Sequence, residues 1–103
     1  MKIAKALEGF EAHLCANGCS IHTVRSYLHD LRLLAKWLRR TRGPSRVERI
    51  RPHHLDRFLT SREALFTAKG YSRGPGALGR MRAVLRSFFR WLELVKLEPG
   101  FPI

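Results

Sequence analysis

The sequence predicts an all-α domain built from four helices. Four segments place apolar residues at helical spacing, and no segment alternates apolar and polar residues as a half-buried strand would. The length of 103 residues suits one domain with one core. An apolar fraction of 45% indicates a folded chain rather than a basic disordered tail.

The first predicted helix covers about residues 3–17. Its apolar residues recur at spacings of four, three and four, which places them on one helical face. These residues are Ile3, Leu7, Phe10 and Leu14. Gly18 is a natural stop because glycine readily adopts the left-handed conformation found after helix ends.

The second predicted helix begins after Ser20, a favourable N-cap residue, and fades near Arg42, where Gly43 and Pro44 break it. Its apolar residues occupy one sector of about 120° on a helical wheel. They are Val24, Tyr27, Leu28, Leu31, Leu34, Ala35 and Leu38. The opposite side is polar and mostly basic, and it carries His22, Arg25, Ser26, His29, Arg32, Lys36, Arg39 and Arg40.

The third predicted helix starts near Pro52, a suitable first helical residue, and ends near Gly70. We expect its buried face to contain Leu55, Phe58, Leu59, Leu65 and Phe66.

A loop over residues 72–76 precedes the fourth predicted helix, which extends to about Glu98 because Pro99 forbids continuation. Its apolar face is broad enough for a central helix and contains Leu78, Met81, Val84, Leu85, Phe88, Trp91, Leu92 and Val95. Arg82, Arg86 and Arg90 follow each other at steps of four on the other side.

The charge is strongly positive, with a formal net charge of +12 and 15 arginines among the 20 basic residues. Between residues 21 and 46, Asp30 is the only acid against seven Arg and Lys residues. Charges of one sign on adjacent helical turns repel each other. We therefore expect an anionic partner, and a phosphate backbone fits best. Anionic membranes, acidic proteins and an ordinary solvated surface are the alternatives.

Two sequence motifs resemble those of tyrosine recombinases (phage integrases). Residues 18–31, GCSIHTVRSYLHDL, resemble the G-x-S-x-x-T-x-x-x-Y-x-x-D-L signature, and residues 85–92, LRSFFRWL, resemble the L-R-S-F-F-x-W-L motif. Both motifs belong to the N-terminal core-binding, SAM-like domain of that family. The resemblance covers roughly residues 10–97. Arg82 stands where the family usually has an apolar residue, and we expect Met81 to fill the core there.

The resemblance implies a SAM-like four-helix bundle of two crossed helical hairpins. It implies a core-binding domain over residues 1–98 and the start of a linker to a catalytic domain at residues 99–103. In the family this domain forms half of a clamp around duplex DNA, and the catalytic residues all follow it. We therefore expect this chain not to be an enzyme by itself, although the full-length parent would be a DNA strand-exchange recombinase.

The expected partners follow from the same resemblance. They are double-stranded DNA and a tyrosine recombinase catalytic domain in cis, with a monomer alone and an oligomer on DNA. No stretch approaches the roughly 20 apolar residues that span a bilayer, and residues 1–10 lack the features of a signal peptide. We therefore expect a cytoplasmic protein with reduced cysteines and no membrane partner.

The predicted DNA contacts lie on the second and fourth helices. They are Thr23, Arg25, Ser26, His29, Arg32, Lys36, Arg82, Arg86 and Arg90. The Arg and Lys side chains should mostly anchor phosphates, and one or two should read guanine in the groove. The family pattern adds a phosphate bond from Thr23. The sequence alone does not fix whether the two rows face the same side.

Other interpretations of individual residues remain. His13, Cys15, Cys19 and His22 lie within ten residues, but their spacing is not that of a zinc finger or ribbon. We expect no metal and no cofactor. Leu33 and Trp37 lie toward the polar side of the second helix. They are either buried against the first or third helix, or contact a partner protomer or the catalytic domain.

The rival function is a stand-alone basic helical module that binds nucleic acid, or one that binds protein. SAM-like bundles often bind proteins, so the fold alone does not decide.

Overall fold

The computed structural model describes residues 1–95, and in this range it is built of helices. The helices are α1 (Ile3–Ala16), α2 (Ile21–Arg40), α3 (Pro52–Leu59), α4 (Arg62–Leu65) and α5 (Pro75–Val95). A short 3₁₀ turn, Val47–Arg49, connects α2 to α3. Residues 1–95 contain no β-strand, so the predicted all-α class is confirmed. The predicted helix end near Glu98 and the linker at 99–103 lie outside the described residues.

The junction of α1 and α2 follows the sequence signals. Gly18 has φ +76°, and the amide of Cys19 donates to the Leu14 carbonyl at 3.1 Å, which closes the end of α1. Ser20 then caps α2, because its hydroxyl accepts from the amide of Thr23 at 3.2 Å. Both predicted helix boundaries are confirmed here.

The third predicted helix is wrong as one continuous element, because the structure divides it into α3 and α4. The division occurs at Ser61, whose hydroxyl donates to the Phe58 carbonyl at 2.6 Å and accepts from the Ala64 amide at 3.4 Å. This side chain thus bonds backbone groups on both sides of the break, an alternative to continued helical pairing. Its N-cap role is not visible in the apolar spacing of the segment.

The predicted burial of Phe66 is also wrong, since its side chain is 45% exposed. The backbone at Phe66 is extended, and residues 66–73 form a small hairpin rather than a helix. Thr67 and Arg73 donate their amides to the carbonyls of Tyr71 and Leu65, each at 2.7 Å. Gly70 has φ +87° at the turn, where a side chain would be strained. Helical spacing therefore does not apply at Phe66.

The start of α5 also differs from the sequence prediction, which placed Pro75 and Gly76 in the preceding loop. The helix begins at Pro75, because proline has the φ angle of a first helical residue and needs no amide partner there.

The core joins α1, α2 and α5 around Phe10. The Phe10 ring lies 5.3 Å from Phe88, 5.4 Å from Trp91 and 6.4 Å from Tyr27, between ring centroids. Edge-on and offset arrangements of this kind are favourable for aromatic rings. Phe10 and Phe88 are almost fully buried.

A second part of the core joins α2 to α3 and α4. Trp37 is buried, and its ring lies 5.8 Å from Phe58 on α3. Of the two interpretations of Trp37, burial against the first or third helix is therefore confirmed. On the surface beside it, Arg40 binds Glu63 of α4 with two hydrogen bonds, at 2.5 and 2.8 Å. These bonds lower the pKa of the Glu63 carboxyl and offset the cost of its burial.

The core residues of α5 fix which of its sides faces outward. Met81 is fully buried while Arg82 is exposed, which confirms that Met81 fills the core at this turn. The remaining α5 core residues are Val84, Leu85, Phe88 and Leu92. The arginines of α5 therefore lie on its solvent side, and α2 is oriented in the same way by its own buried residues.

Candidate nucleic-acid interface

The predicted contact residues of α2 all lie away from the centre of the core. Arg25, His29, Arg32 and Lys36 are exposed, while Thr23 and Ser26 are half-buried. The Ser20 hydroxyl donates to the Thr23 hydroxyl at 3.0 Å. The Thr23 proton is therefore directed away from Ser20 and can be donated to a phosphate oxygen.

A groove between α2, α4, the hairpin and the start of α5 collects basic side chains from four parts of the chain. We call it the basic groove. Its ionisable lining residues are His29, Lys36, Arg40, Arg62, Glu63, Arg73 and Arg80. Its less polar part includes Leu33, Phe66 and Ala77. Glu63 is its acidic lining residue, and Arg40 holds that carboxylate, so the other cations keep their charge for a ligand.

Sequence reasoning missed the α5 residue that lines this groove, Arg80. On a helix, Arg80 lies about 120° from Arg86 and so falls outside the row that recurs at steps of four. Its position became clear only from packing, because Arg80 approaches Asp30 of α2 with Nε 3.9 Å from Oδ2. The sequence signal that pointed to this position was Asp30, because it is the only acid between residues 21 and 46.

Arg82, Arg86 and Arg90 line a second groove, between α3 and α5. Its floor is apolar and contains Leu55, Leu59, Leu85 and Phe89. Asp56 and Glu93 also line it. The structure therefore does not bring this arginine row into the basic groove with His29 and Lys36. Across the solvent side of α5, Arg80 lies at the α2 edge and Arg82 at the α3 edge, with Arg86 and Arg90 between them.

Arg32 lies at the opposite edge of α2, in a third groove next to α1. It shares that groove with Glu8 and Glu11 of α1 and with Arg39 and Arg42. Thr23, Arg25 and Ser26 lie on the first two turns of α2 and line none of these grooves. The outer side of α2 thus carries cations from its first turns to its last, with Arg32 near its α1 edge.

Asp30 is the most unusual side chain near the basic groove. It is fully buried, and neither carboxylate oxygen has a hydrogen-bond partner among residues 1–95. Burial raises the pKa of Asp30, and the positive charges of Arg80, His29 and Arg73 partly counteract that rise. All three of those residues line the basic groove.

A comparison with protein families identifies the domain. The family model for the phage integrase N-terminal SAM-like domain matches residues 7–96. The chain belongs to this family. The match confirms the family resemblance and the SAM-like fold, and it relates the domain to the tyrosine recombinases. No curated protein and no solved structure matches the chain.

In the part of this SAM-like domain that the structure describes, the cysteines and histidines do not gather into a metal site. Among residues 1–95, no group of three or more His, Cys, Asp or Glu side chains is placed to hold a metal ion. Cys15 and Cys19 are free thiols. His13 instead packs its ring near Phe10 and Trp91, with centroid distances of 6.0 and 5.8 Å.

The helices of the SAM-like domain are amphipathic, and none in residues 1–95 has the length and continuous hydropathy that crossing a bilayer requires.

Proposed function

We propose that this domain binds duplex DNA across the outer sides of α2 and α5 and holds it for strand exchange by a tyrosine recombinase. The observation that carries the proposal is the meeting of His29 and Lys36 from α2 with Arg80 from α5 in the basic groove. Cations from separate helices at one groove form a surface suited to a continuous line of phosphates.

The proposed contacts contribute to DNA binding according to their place on the surface formed by α2 and α5. Lys36, Arg80, Arg86 and Arg90 anchor phosphates near the middle of the surface, and Arg25 does so on the first turns of α2. Thr23 and Ser26 add neutral hydrogen bonds to phosphate near Arg25. His29 contributes a further donor, with full charge only when it is protonated.

The two outermost arginines, Arg32 and Arg82, lie at the far edges of this surface. They contact the flanks of the DNA and contribute less than the central arginines. One of the central arginines can also reach a guanine edge, since the guanidinium fork matches its two acceptors.

The catalytic step belongs to a separate domain in this proposal. The SAM-like domain supplies one side of a clamp, and a catalytic domain in cis supplies the residues that cut and rejoin the strands. The domain alone binds as a monomer, whereas the full-length recombinase assembles as an oligomer on DNA. The cytoplasm, where DNA is accessible, is the proposed location.

A salt titration of duplex binding tests the proposal. Fluorescence anisotropy of a labelled duplex should give a log affinity that falls linearly with log salt, by about 0.9 for each phosphate neutralised. Arg80→Ala should weaken binding more than Arg49→Ala, which removes the same charge from the exposed 3₁₀ turn. Equal effects of the two substitutions would contradict the proposed surface.

A protein-binding module is the second candidate, and the α3–α5 groove favours it. An apolar floor of Leu55, Leu59 and Phe89 beside arginines resembles a protein-docking groove more than a phosphate track. Under that function, binding of the partner would depend weakly on salt, and duplex affinity would be low even in dilute buffer.

A further inference from the structure

We propose that Asp30 is a positioning residue, which holds the Arg80 guanidinium over the basic groove so that it can bind a DNA phosphate. The proposal rests on the proposed function, because it explains how the DNA surface described above is kept in order. It also assigns a role to the one acid on α2, where the surrounding charges are all positive.

The burial of Asp30 is costly to the fold. Its side chain is 1% exposed, and both oxygens lack a hydrogen-bond donor within residues 1–95. An ionised carboxylate in such surroundings is destabilising unless it is paired and hydrogen-bonded. The ionised form of Asp30 therefore lowers the stability of the fold, and its charge acts on the cations of the basic groove.

The Arg80 guanidinium lies beside Asp30 in a geometry that leaves its outer end free. Arg80 approaches Asp30 through Nε, at 3.9 Å, and its side chain is 56% exposed. Nε is the inner nitrogen of the guanidinium, so the two terminal amino groups remain available to a phosphate. A fixed negative charge behind Nε limits the rotamers of a long, exposed side chain. Less conformational entropy is then lost when DNA binds.

The charge of Asp30 also acts on a second arginine of the groove. Arg73 comes from the hairpin, lines the basic groove, and has a buried Nε with no hydrogen-bond partner among residues 1–95. Its positive charge acts on Asp30 together with those of Arg80 and His29. One buried acid thus lies behind cations from three elements, α2, the hairpin and α5.

A double-mutant cycle on duplex affinity tests the proposal. The proteins are wild type, Asp30→Asn, Arg80→Ala and the double variant. The reference cycle replaces Arg80→Ala by Arg49→Ala. Asparagine keeps the shape of the side chain and removes its charge. Asp30→Asn should weaken duplex binding by roughly three- to tenfold, and thermal unfolding should show that the variant remains folded.

The coupling between Asp30 and Arg80 in duplex affinity decides whether the positioning role holds. In the Arg80→Ala background, Asp30→Asn should weaken binding much less than it does in wild type, with only the effect on Arg73 and His29 remaining, whereas in the Arg49→Ala background it should keep its full effect. Unchanged or tighter binding by Asp30→Asn alone would overturn the proposal, since Asp30 would then only oppose the phosphates. An equal loss in both arginine backgrounds would overturn it as well.

The outcome for Arg80 separates this inference from the proposed function. If Arg80→Ala weakens binding more than Arg49→Ala but shows no coupling to Asp30, only the positioning role fails. If Arg80→Ala weakens binding no more than Arg49→Ala, both the positioning role and the proposed DNA surface are wrong.

Discussion

Asp30 illustrates, at the scale of one residue, how the core and the basic surface of this domain are connected. The sequence identified it as the only acid between residues 21 and 46, but not as a buried residue. A polar residue near the edge of an apolar stripe is usually exposed, whereas tertiary packing leaves Asp30 fully buried. We therefore expect the Asp30 carboxylate to lower the stability of the domain and to increase its affinity for DNA.

The stability of the Asp30→Asn variant should exceed that of wild type at pH 7. Because burial raises the pKa of Asp30 above its ordinary value of 3.8, the folded state binds a proton more readily than the unfolded state. Wild-type stability therefore falls as the pH rises from about 3.8 through the raised pKa, and the penalty is complete above it. The melting temperatures of the two proteins should differ at pH 7 and converge toward pH 4. A lower melting temperature for Asp30→Asn at pH 7 would show that the carboxylate stabilises the fold.

Phe88 provides the corresponding test of the core. Its ring is fully buried and contacts Phe10 and Phe89, with centroid distances of 5.3 and 5.0 Å. Phe88→Ala should lower the free energy of unfolding by roughly 3–5 kcal/mol, since it removes a buried ring and leaves a cavity. Denaturant unfolding measures this directly. A change below about 1 kcal/mol would mean that α5 has another register.

At the scale of the elements, apolar spacing and cap residues gave a reliable guide to α1, α2 and most of α5. They were insufficient at residues 60–73, because the end of α3, the cap at Ser61 and the hairpin at Gly70 depend on local hydrogen bonds. The grouping of the arginines had the same limit. Helical spacing separated Arg82, Arg86 and Arg90 from the core. Tertiary packing, however, decides which helix lies beside each edge of α5, and spacing does not reveal it.

The N-cap of α2 gives a prediction at this scale. Ser20→Ala removes the acceptor for the Thr23 amide and should destabilise the domain by about 0.5–2 kcal/mol. It also removes the hydroxyl that orients Thr23, so duplex affinity should fall slightly. Ser72→Ala, at an exposed hairpin position, is the matched control. Equal melting temperatures for the two variants would contradict a capping role.

At the scale of the whole molecule, the family follows from two short motifs and a family match, while the shape of the surface follows from packing. The sequence predicted a basic partner-binding surface on the second and fourth helices. It could not predict that His29 and Lys36 share a groove with Arg80, while Arg82, Arg86 and Arg90 line a separate groove between α3 and α5. The two sets meet one duplex only if DNA crosses the solvent side of α5.

Amide chemical shifts of the labelled domain, recorded as a short duplex is added, identify the surface that meets DNA. If DNA crosses α2 and α5, the largest changes should occur along Arg25, His29 and Lys36 of α2 and along Arg80, Arg86 and Arg90 of α5, with the outer side of α1 unchanged. Changes concentrated on α1 and α3, with these two rows unaffected, would contradict the proposed DNA surface.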